Sequence, residues 1–365
     1  MKIPFFPYPQ FFLHDKEEYI KIFSEVCSKG AYILQEELVT FEKEICDLTD
    51  SKYCLGVANA TDALQMAFMA GDLELGSEVI IASHTMIATA SAVKYAGGEP
   101  IPVDSGPDHL IDIESVRSAI TEKTQAIVPT QLNGRTCNMD EITLIADEFD
   151  LDIYEDSAQA LGSKFKGKSA GTFGIGGCIS FYPAKTLGCF GDGGAILCQN
   201  EEIYKKLLLL RDHGRNEEND VVLWGMNSRL DNIQAAFMSH KLKEYKQTII
   251  RRREIAAIYS HELQNIDSIV LPPPPDDGDH YDIFQNYEIQ ADNRNSLKEY
   301  LSKDGIGSLI QWSGKPVHQF TKIGFNQNLP KSDELFNRLL MLPMHPFLKD
   351  EEVLYISDSL KNFYN

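Results

Sequence analysis

Between residues 53 and 200 the chain alternates short apolar runs with longer stretches of mixed polarity. EVIIAS (78–83), EPIPVD (99–104), AIVPTQ (126–131), LDIYED (151–156), GCISFY (177–182) and GAILCQ (194–199) have the length and composition of buried strands. Between them, ATDALQMAFMAG (60–71), TMIATASAVKYAG (85–97), IESVRSAI (113–120) and MDEITLIADEFD (139–150) read as helices, several with glycine at an end. Strands alternating with helices predict a mostly parallel sheet covered on both faces. Ligands of such sheets bind beyond the carboxyl ends of the strands. Asp156 and the segment after Tyr182 fall there.

After this region the pattern predicts one long helical stretch over about 228–264. LPPPPDDGDHYD (271–282) follows, and its prolines and acidic turn exclude helix or strand interior. NYEIQA (286–291), a helix over about 293–304, SLIQW (308–312) and a last helix then make a smaller α/β unit. A chain of 365 residues also exceeds what one core of roughly 250–300 residues usually holds. The expected division is a large domain over 1–240, N-terminal segment included, and a small domain over 241–365.

Charge and composition narrow the partners. A net charge of −20 weighs against nucleic acid and anionic membranes, though a few local arginines can still receive a small anion. No window approaches the ~18 unbroken apolar residues of a membrane helix. MKIPFFPYPQFF lacks a signal-peptide apolar core, so the expected location is the cytoplasm. The cysteines at 27, 46, 54, 137, 178, 189 and 198 form no C-x-x-C pair or zinc spacing, and the expectation is reduced thiols and no metal.

Four local features carry candidate chemistry. Asn59-Ala60-Thr61 opens a helix whose first-turn N–H groups and dipole suit an anion, or merely a cap without a ligand. Asp156 ends an apolar strand, with Gln159 three residues on; it is either a cap or salt-bridge partner, or a carboxylate reserved for a cation. Lys185, in SFYPAKTLGCFGDGGA (180–195), is either an exposed lysine at a strand end or a reactive amine held in a pocket. RDHGR (211–215) and NSRLDNIQAA (227–236) add arginines, while Arg251-Arg252-Arg253 reads as a solvated helix face. An amine, an acid for a pyridinium nitrogen and a phosphate cradle are together the three handles of pyridoxal phosphate. The glycine patterns of dinucleotide and P-loop sites are absent.

The ordered blocks GAYILQEELVTFEKEI (30–45), NATDAL (59–64), IIASHTMIATASAVKYAGGEPIPVD (80–104), EDSAQALGSKFKGKSAGTFG (155–174), SFYPAKTLGCFGDGGA, RDHGR, NSRLDNIQAA and LPMHPFL (342–348) span nearly the whole chain. In them the sequence resembles the DegT/DnrJ/StrS sugar aminotransferases, within the fold-type-I, aspartate-aminotransferase-like pyridoxal-phosphate enzymes. The resemblance implies a mostly parallel seven-stranded sheet between helices and a smaller C-terminal α/β domain. It implies Lys185 as the Schiff-base lysine and proton carrier, Asp156 at the pyridinium nitrogen and Gln159 at the 3′ oxygen. Ala60, Thr61 and Ser180 would hold the phosphate, with Asn59 a further cofactor contact and Asn227 reaching the phosphate from a partner subunit in a homodimer. Met86 occupies the usually aromatic ring-stacking position, where its thioether, or His84 or His109, could serve. Ala60 and Gln35 stand in for usual glycines, and Thr186 for a common asparagine.

The family reaction moves an amino group from L-glutamate, through pyridoxamine phosphate, to a keto carbon (C3 or C4) of a nucleotide-diphosphate sugar, for lipopolysaccharide or similar glycans. Tyr32, Arg211, Arg215, Arg229 and His318 are the candidate substrate contacts. The alternatives are a dehydratase of the same fold, whose single-cofactor 3-dehydratases carry histidine where Lys185 stands, and a non-catalytic sensor.

Overall fold

The computed structural model describes residues 1–275 and 277–365; Asp276, in the acidic turn after the prolines, lies outside the described residues. Seven strands build the main sheet: β1 (Tyr53–Val57), β2 (Glu78–Ala82), β3 (Glu99–Val103), β4 (Thr124–Val128), β5 (Asp152–Asp156), β6 (Gly176–Ser180) and β7 (Gly194–Cys198). Their order is β1-β7-β6-β5-β4-β2-β3. All pairings are parallel except those of β7, which runs against both neighbours. Six strands match apolar runs of the sequence. β1 escaped that reading because YCLGV is short and interrupted by glycine, yet from Cys54 onward it is wholly buried.

The helix Ala60–Ala70 shows why the sheet is covered. Ala63, Leu64, Met66, Ala67 and Phe68 point inward with the 3.6-residue period and pack on Val79, Ile81 and Ile196 of the sheet. Asn59 begins it by accepting the Asp62 N–H at 2.9 Å.

The predicted helical stretch over 228–264 is two helices, Asn232–Leu242 and Tyr245–Leu263, parted at Lys243 and Glu244. The first packs against Glu36–Thr49, where Asn232 donates to the Ala31 carbonyl at 2.8 Å and accepts from the Leu38 N–H at 2.9 Å. The second turns to another core, formed with the final helix Asp350–Tyr364 and the antiparallel strands β8 (Ile269–Val270), β9 (Tyr287–Ala291) and β10 (Leu339–Leu342). Ile3 is buried in that C-terminal core too, exchanging backbone bonds with Gly305 and Gly307.

Two details differ from the sequence reading. Residues 280–281 of the proline-rich stretch pair with Lys164–Phe165, so this loop docks on the N-terminal unit. Arg252 is not solvated but fully buried, and its Nη1 donates to the carbonyls of Phe284, Gln285 and Met344 at 3.0–3.1 Å. Helical periodicity turns one of three consecutive residues inward here, and three carbonyls receive its Nη1 while Nε and Nη2 have no hydrogen-bond partner among the described residues. Among the described residues no helix is long and apolar enough to cross a membrane.

Candidate active site

Beyond the carboxyl ends of β5 and β6 lies a cavity of about 330 Å³. Asn59, Ala60, Thr61, Met86, Asp156, Gln159, Ser180 and Lys185, scattered over more than a hundred residues, all line it. At one end stands the start of the helix Ala60–Ala70. Asn59 takes the N–H groups of Asp62 and Ala63 through Oδ1 and its carbonyl, which leaves the first-turn amides of Ala60 and Thr61 for the cavity. Gly194 permits this arrangement: a Cβ there would lie 2.6 Å from the Asn59 carbonyl carbon and 2.8 Å from the Ala60 nitrogen.

Asp156, at the last position of β5, is buried and aimed by a chain of threonines. Thr89 donates to Oδ2 at 2.6 Å, Thr85 and Thr89 share a bond of 2.7 Å, and Thr130 donates to Thr85 at 2.9 Å. The Ala158 N–H reaches Oδ1 at 3.2 Å. Thr85 and Thr89 sit one helical turn apart in SHTMIATA, a spacing visible in the sequence and missed there.

Lys185 follows β6 in a tight turn closed by its own N–H to the Tyr182 carbonyl at 2.8 Å. Its Nζ makes no hydrogen bond or ion pair among the described residues. Burial lowers its pKa to about 8, while the nearby Asp156 carboxylate pulls the other way. Gln159 has its carbonyl fixed by the Asn133 N–H at 2.8 Å and the Asn286 amide at 3.3 Å, so its NH2 end is left for the cavity. The remaining wall comes from Tyr182, Asp192 and Trp312. Trp312 and Ser313 adopt φ of +46° and +58°, and Trp312 is the C-terminal unit's contribution to the cavity. SLIQW read only as part of an α/β unit, because nothing local in it says which neighbour it will meet.

Not every candidate joins this group. Arg211 is buried away from this cavity, its Nη1 2.6 Å from Glu42 Oε1 and 3.4 Å from the Gly56 carbonyl, so it braces β1. His318 is likewise locked, between Ser83 Oγ at 2.7 Å and Asp333 Oδ1 at 3.0 Å. His84 and His109 are not available to a ring in the cavity: both are buried and share Glu288 Oε2, at 3.6 and 3.1 Å. Tyr32, Arg215 and Asn227 are exposed outside the cavity of their own chain, and Arg229 pairs with Asp212 at 2.8 Å.

The side chains fit pyridoxal phosphate. The unbonded Lys185 amine, the threonine-held Asp156 carboxylate, the free Gln159 amide and the uncapped amides at Ala60 and Thr61 match its aldehyde, ring nitrogen, 3′ oxygen and phosphate in kind. Met86, 51% exposed at the rim, offers its thioether to a ring face.

The comparisons with known proteins agree. The DegT/DnrJ/EryC1/StrS aminotransferase family model matches residues 14–361. A protein of Geobacillus stearothermophilus named pleiotropic regulatory protein is 34% identical, over 100% of this chain and 99% of its own. The dTDP-3-amino-3,6-dideoxy-alpha-D-galactopyranose transaminase of Aneurinibacillus thermoaerophilus is 35% identical over 99% of both chains. The crystal structure of S. venezuelae DesV in complex with a ketimine intermediate superposes with a TM-score of 0.96 at 32% identity, over 100% of this chain and 99% of that one. The chain belongs to the DegT/DnrJ/EryC1/StrS aminotransferase family and is a pyridoxal-phosphate-dependent aminotransferase.

Proposed function

We propose that the protein transfers an amino group from L-glutamate to the C3 keto carbon of a nucleotide-diphosphate-linked deoxysugar, giving 2-oxoglutarate and the amino sugar. The observation that carries this reading is the meeting of Lys185, Asp156, Gln159 and the Ala60–Thr61 helix start around one cavity. The transaminase of Aneurinibacillus named above supports a sugar nucleotide aminated at C3. Glutamate as donor follows from the family resemblance.

When bound, the cofactor supplies an aldehyde that carries the amino group and a ring that accepts electrons. The chain does the rest. Lys185, with its pKa lowered to about 8, has a larger neutral fraction near physiological pH than an ordinary lysine and would move protons at Nζ between donor and acceptor. Asp156, held by Thr89, would keep the ring nitrogen protonated. Ala60, Thr61 and Ser180 would hold the phosphate, and the Gln159 NH2 would be the donor for the 3′ oxygen. The sugar enters past Met86, Tyr182 and Trp312 at the rim.

We further propose a homodimer in the cytoplasm, with Asn227 reaching the partner's phosphate site. Trp224, 94% exposed, stands with the exposed Val221 and Val222 in the same loop region as Asn227, an apolar face that a second copy would cover. Tyr32, Arg215 and Arg229 would then serve the partner's substrate.

The test uses protein loaded with pyridoxal phosphate. L-glutamate should bleach the visible band with release of 2-oxoglutarate, and a dTDP-3-keto-deoxysugar should restore it. A loaded protein that glutamate does not bleach would sink L-glutamate as the donor.

A further inference from the structure

We propose that Gln285, a residue of the C-terminal unit, is a positioning residue for Lys185; this rests on the reading of Lys185 given above. Gln285 is buried, and both ends of its amide grip the chain on either side of the lysine. Its Oε1 accepts the Thr186 N–H at 2.7 Å, and its Nε2 donates to the Ala184 carbonyl at 2.9 Å. One primary amide thus does for this turn what a neighbouring strand does for a sheet: it takes the N–H and the C=O that flank one residue. The turn over 183–188 belongs to no strand or helix, so beside the Lys185 N–H to the Tyr182 carbonyl these two bonds hold the peptide units next to Lys185.

Gln285 is itself anchored. Its carbonyl accepts from Arg252 Nη1 at 3.1 Å, and the same guanidinium holds the Phe284 carbonyl at 3.0 Å. Thr186 is fixed a second time, through Oγ1 to the Tyr245 hydroxyl at 2.8 Å. The next residue, Asn286, reaches the other wall of the cavity, donating to Asn133 Oδ1 at 2.8 Å and Gln159 Oε1 at 3.3 Å. Consecutive side chains just before β9 therefore set the amine on one side and the Gln159 amide on the other. The Lys185 backbone cannot shift relative to the C-terminal unit without breaking both bonds to Gln285. The arrangement of the two units is in this way built into the reach of Nζ.

A structural role alone would weaken every kind of cofactor binding together, whereas positioning acts on bond formation at the lysine. Pyridoxamine phosphate separates the two, because it has the same ring and phosphate but no aldehyde for Lys185. The variants are Gln285→Met, close in shape without donor or acceptor, and Gln285→Glu, which keeps an acceptor for the Thr186 N–H and loses the donor to Ala184. Each is titrated with pyridoxamine phosphate, and each is mixed with pyridoxal phosphate and quenched with borohydride to follow covalent capture on Lys185 by mass. Expected is a Kd for pyridoxamine phosphate within about threefold of wild type, with capture slowed about tenfold in Gln285→Met and less in Gln285→Glu. Capture at the wild-type rate in both, or slowing matched by an equal loss of pyridoxamine phosphate affinity, overturns the proposal. Should Gln285→Met fail to fold, Gln285→Glu decides alone. If wild-type protein captures no cofactor on Lys185, the reading of the lysine falls first and takes this inference with it.

Discussion

Lys185 and Lys241 meet at the same turn, the first within it and the second bonded to its end, and burial lowers the pKa of both to about 8. Their surroundings differ completely. Lys241 Nζ donates to the Gly188 carbonyl at 2.5 Å and lies 3.8 Å from the Phe190 ring centroid, with Tyr19 at 5.7 Å. Its charge is committed to the fold. Lys185 Nζ has no such partner and lines a cavity together with Asp156, whose carboxylate is the main opponent of its pKa shift. A depressed pKa thus records burial and says little about chemistry. What sets Lys185 apart is a free donor facing space that other cofactor-type groups share.

The largest expected effect breaks the pair apart. Lys185→Ala should slow glutamate-dependent bleaching about 10³-fold or more with the thermal midpoint nearly unchanged, because it removes nucleophile and proton carrier together. Lys241→Met should do the reverse, costing about 1–2 kcal/mol of stability, since the Gly188 carbonyl loses its donor, while bleaching stays within a few-fold. Stopped-flow absorbance and urea unfolding read the two. Equal catalytic losses would erase the distinction.

Asp156→Asn comes next, with bleaching slowed about 10²-fold, because the neutral amide no longer stabilises a protonated ring nitrogen. Thr89→Val removes the donor to Oδ2 while keeping the shape, and should cost less than Asp156→Asn in the same assay.

How much of this was legible depended on how local each signal is. The strand runs, the helix start at Asn59 and the turn carrying Lys185 are contiguous patterns, and they survive intact. The direction of β7 is not written in GAILC, since an apolar run reads the same either way. Nor can a sequence tell Arg211, paired with Glu42 across the sheet edge, from an arginine waiting for a diphosphate. Arg252 was read as solvated, and Gln285 passed over, for the same reason: their partners lie at least 32 residues away or in another unit. Lys185 was identified through its company, not through anything at position 185.

A third expectation sharpens the lysine comparison without any cofactor. Acetic anhydride consumes the neutral amine, so both lysines of the apoprotein should gain reactivity with a midpoint near pH 8 instead of the usual 10.5. Lys185 should label faster, because its Nζ is unbonded while Lys241 Nζ donates to the Gly188 carbonyl and lies against the Phe190 ring. Peptide mass analysis across pH gives both curves. A Lys185 midpoint near 10.5 would mean that the Asp156 charge fully offsets desolvation.

The smallest effect extends the contrast to an imidazole. His84 is fully buried, with Nδ1 3.2 Å from the His109 carbonyl and Nε2 3.6 Å from Glu288 Oε2, and burial lowers its pKa to about 4 against the pull of Glu288. In the unfolded chain it titrates near 6.5. Between these values the unfolded chain binds a proton that the folded one does not, so the stability from a neutral His84 is complete above about pH 6.5 and lost as pH falls toward 4. Asp282 works the other way: burial pushes its carboxyl up to about 6, so folding takes up a proton there as pH falls. The measurement is therefore the difference between wild type and His84→Gln in urea at pH 7 and pH 5. The variant should lose less stability between the two, by about 1–2 kcal/mol. Equal losses would mean that Glu288 keeps the imidazole charged in the fold, and that His84, like Lys241, has its charge tied up in structure.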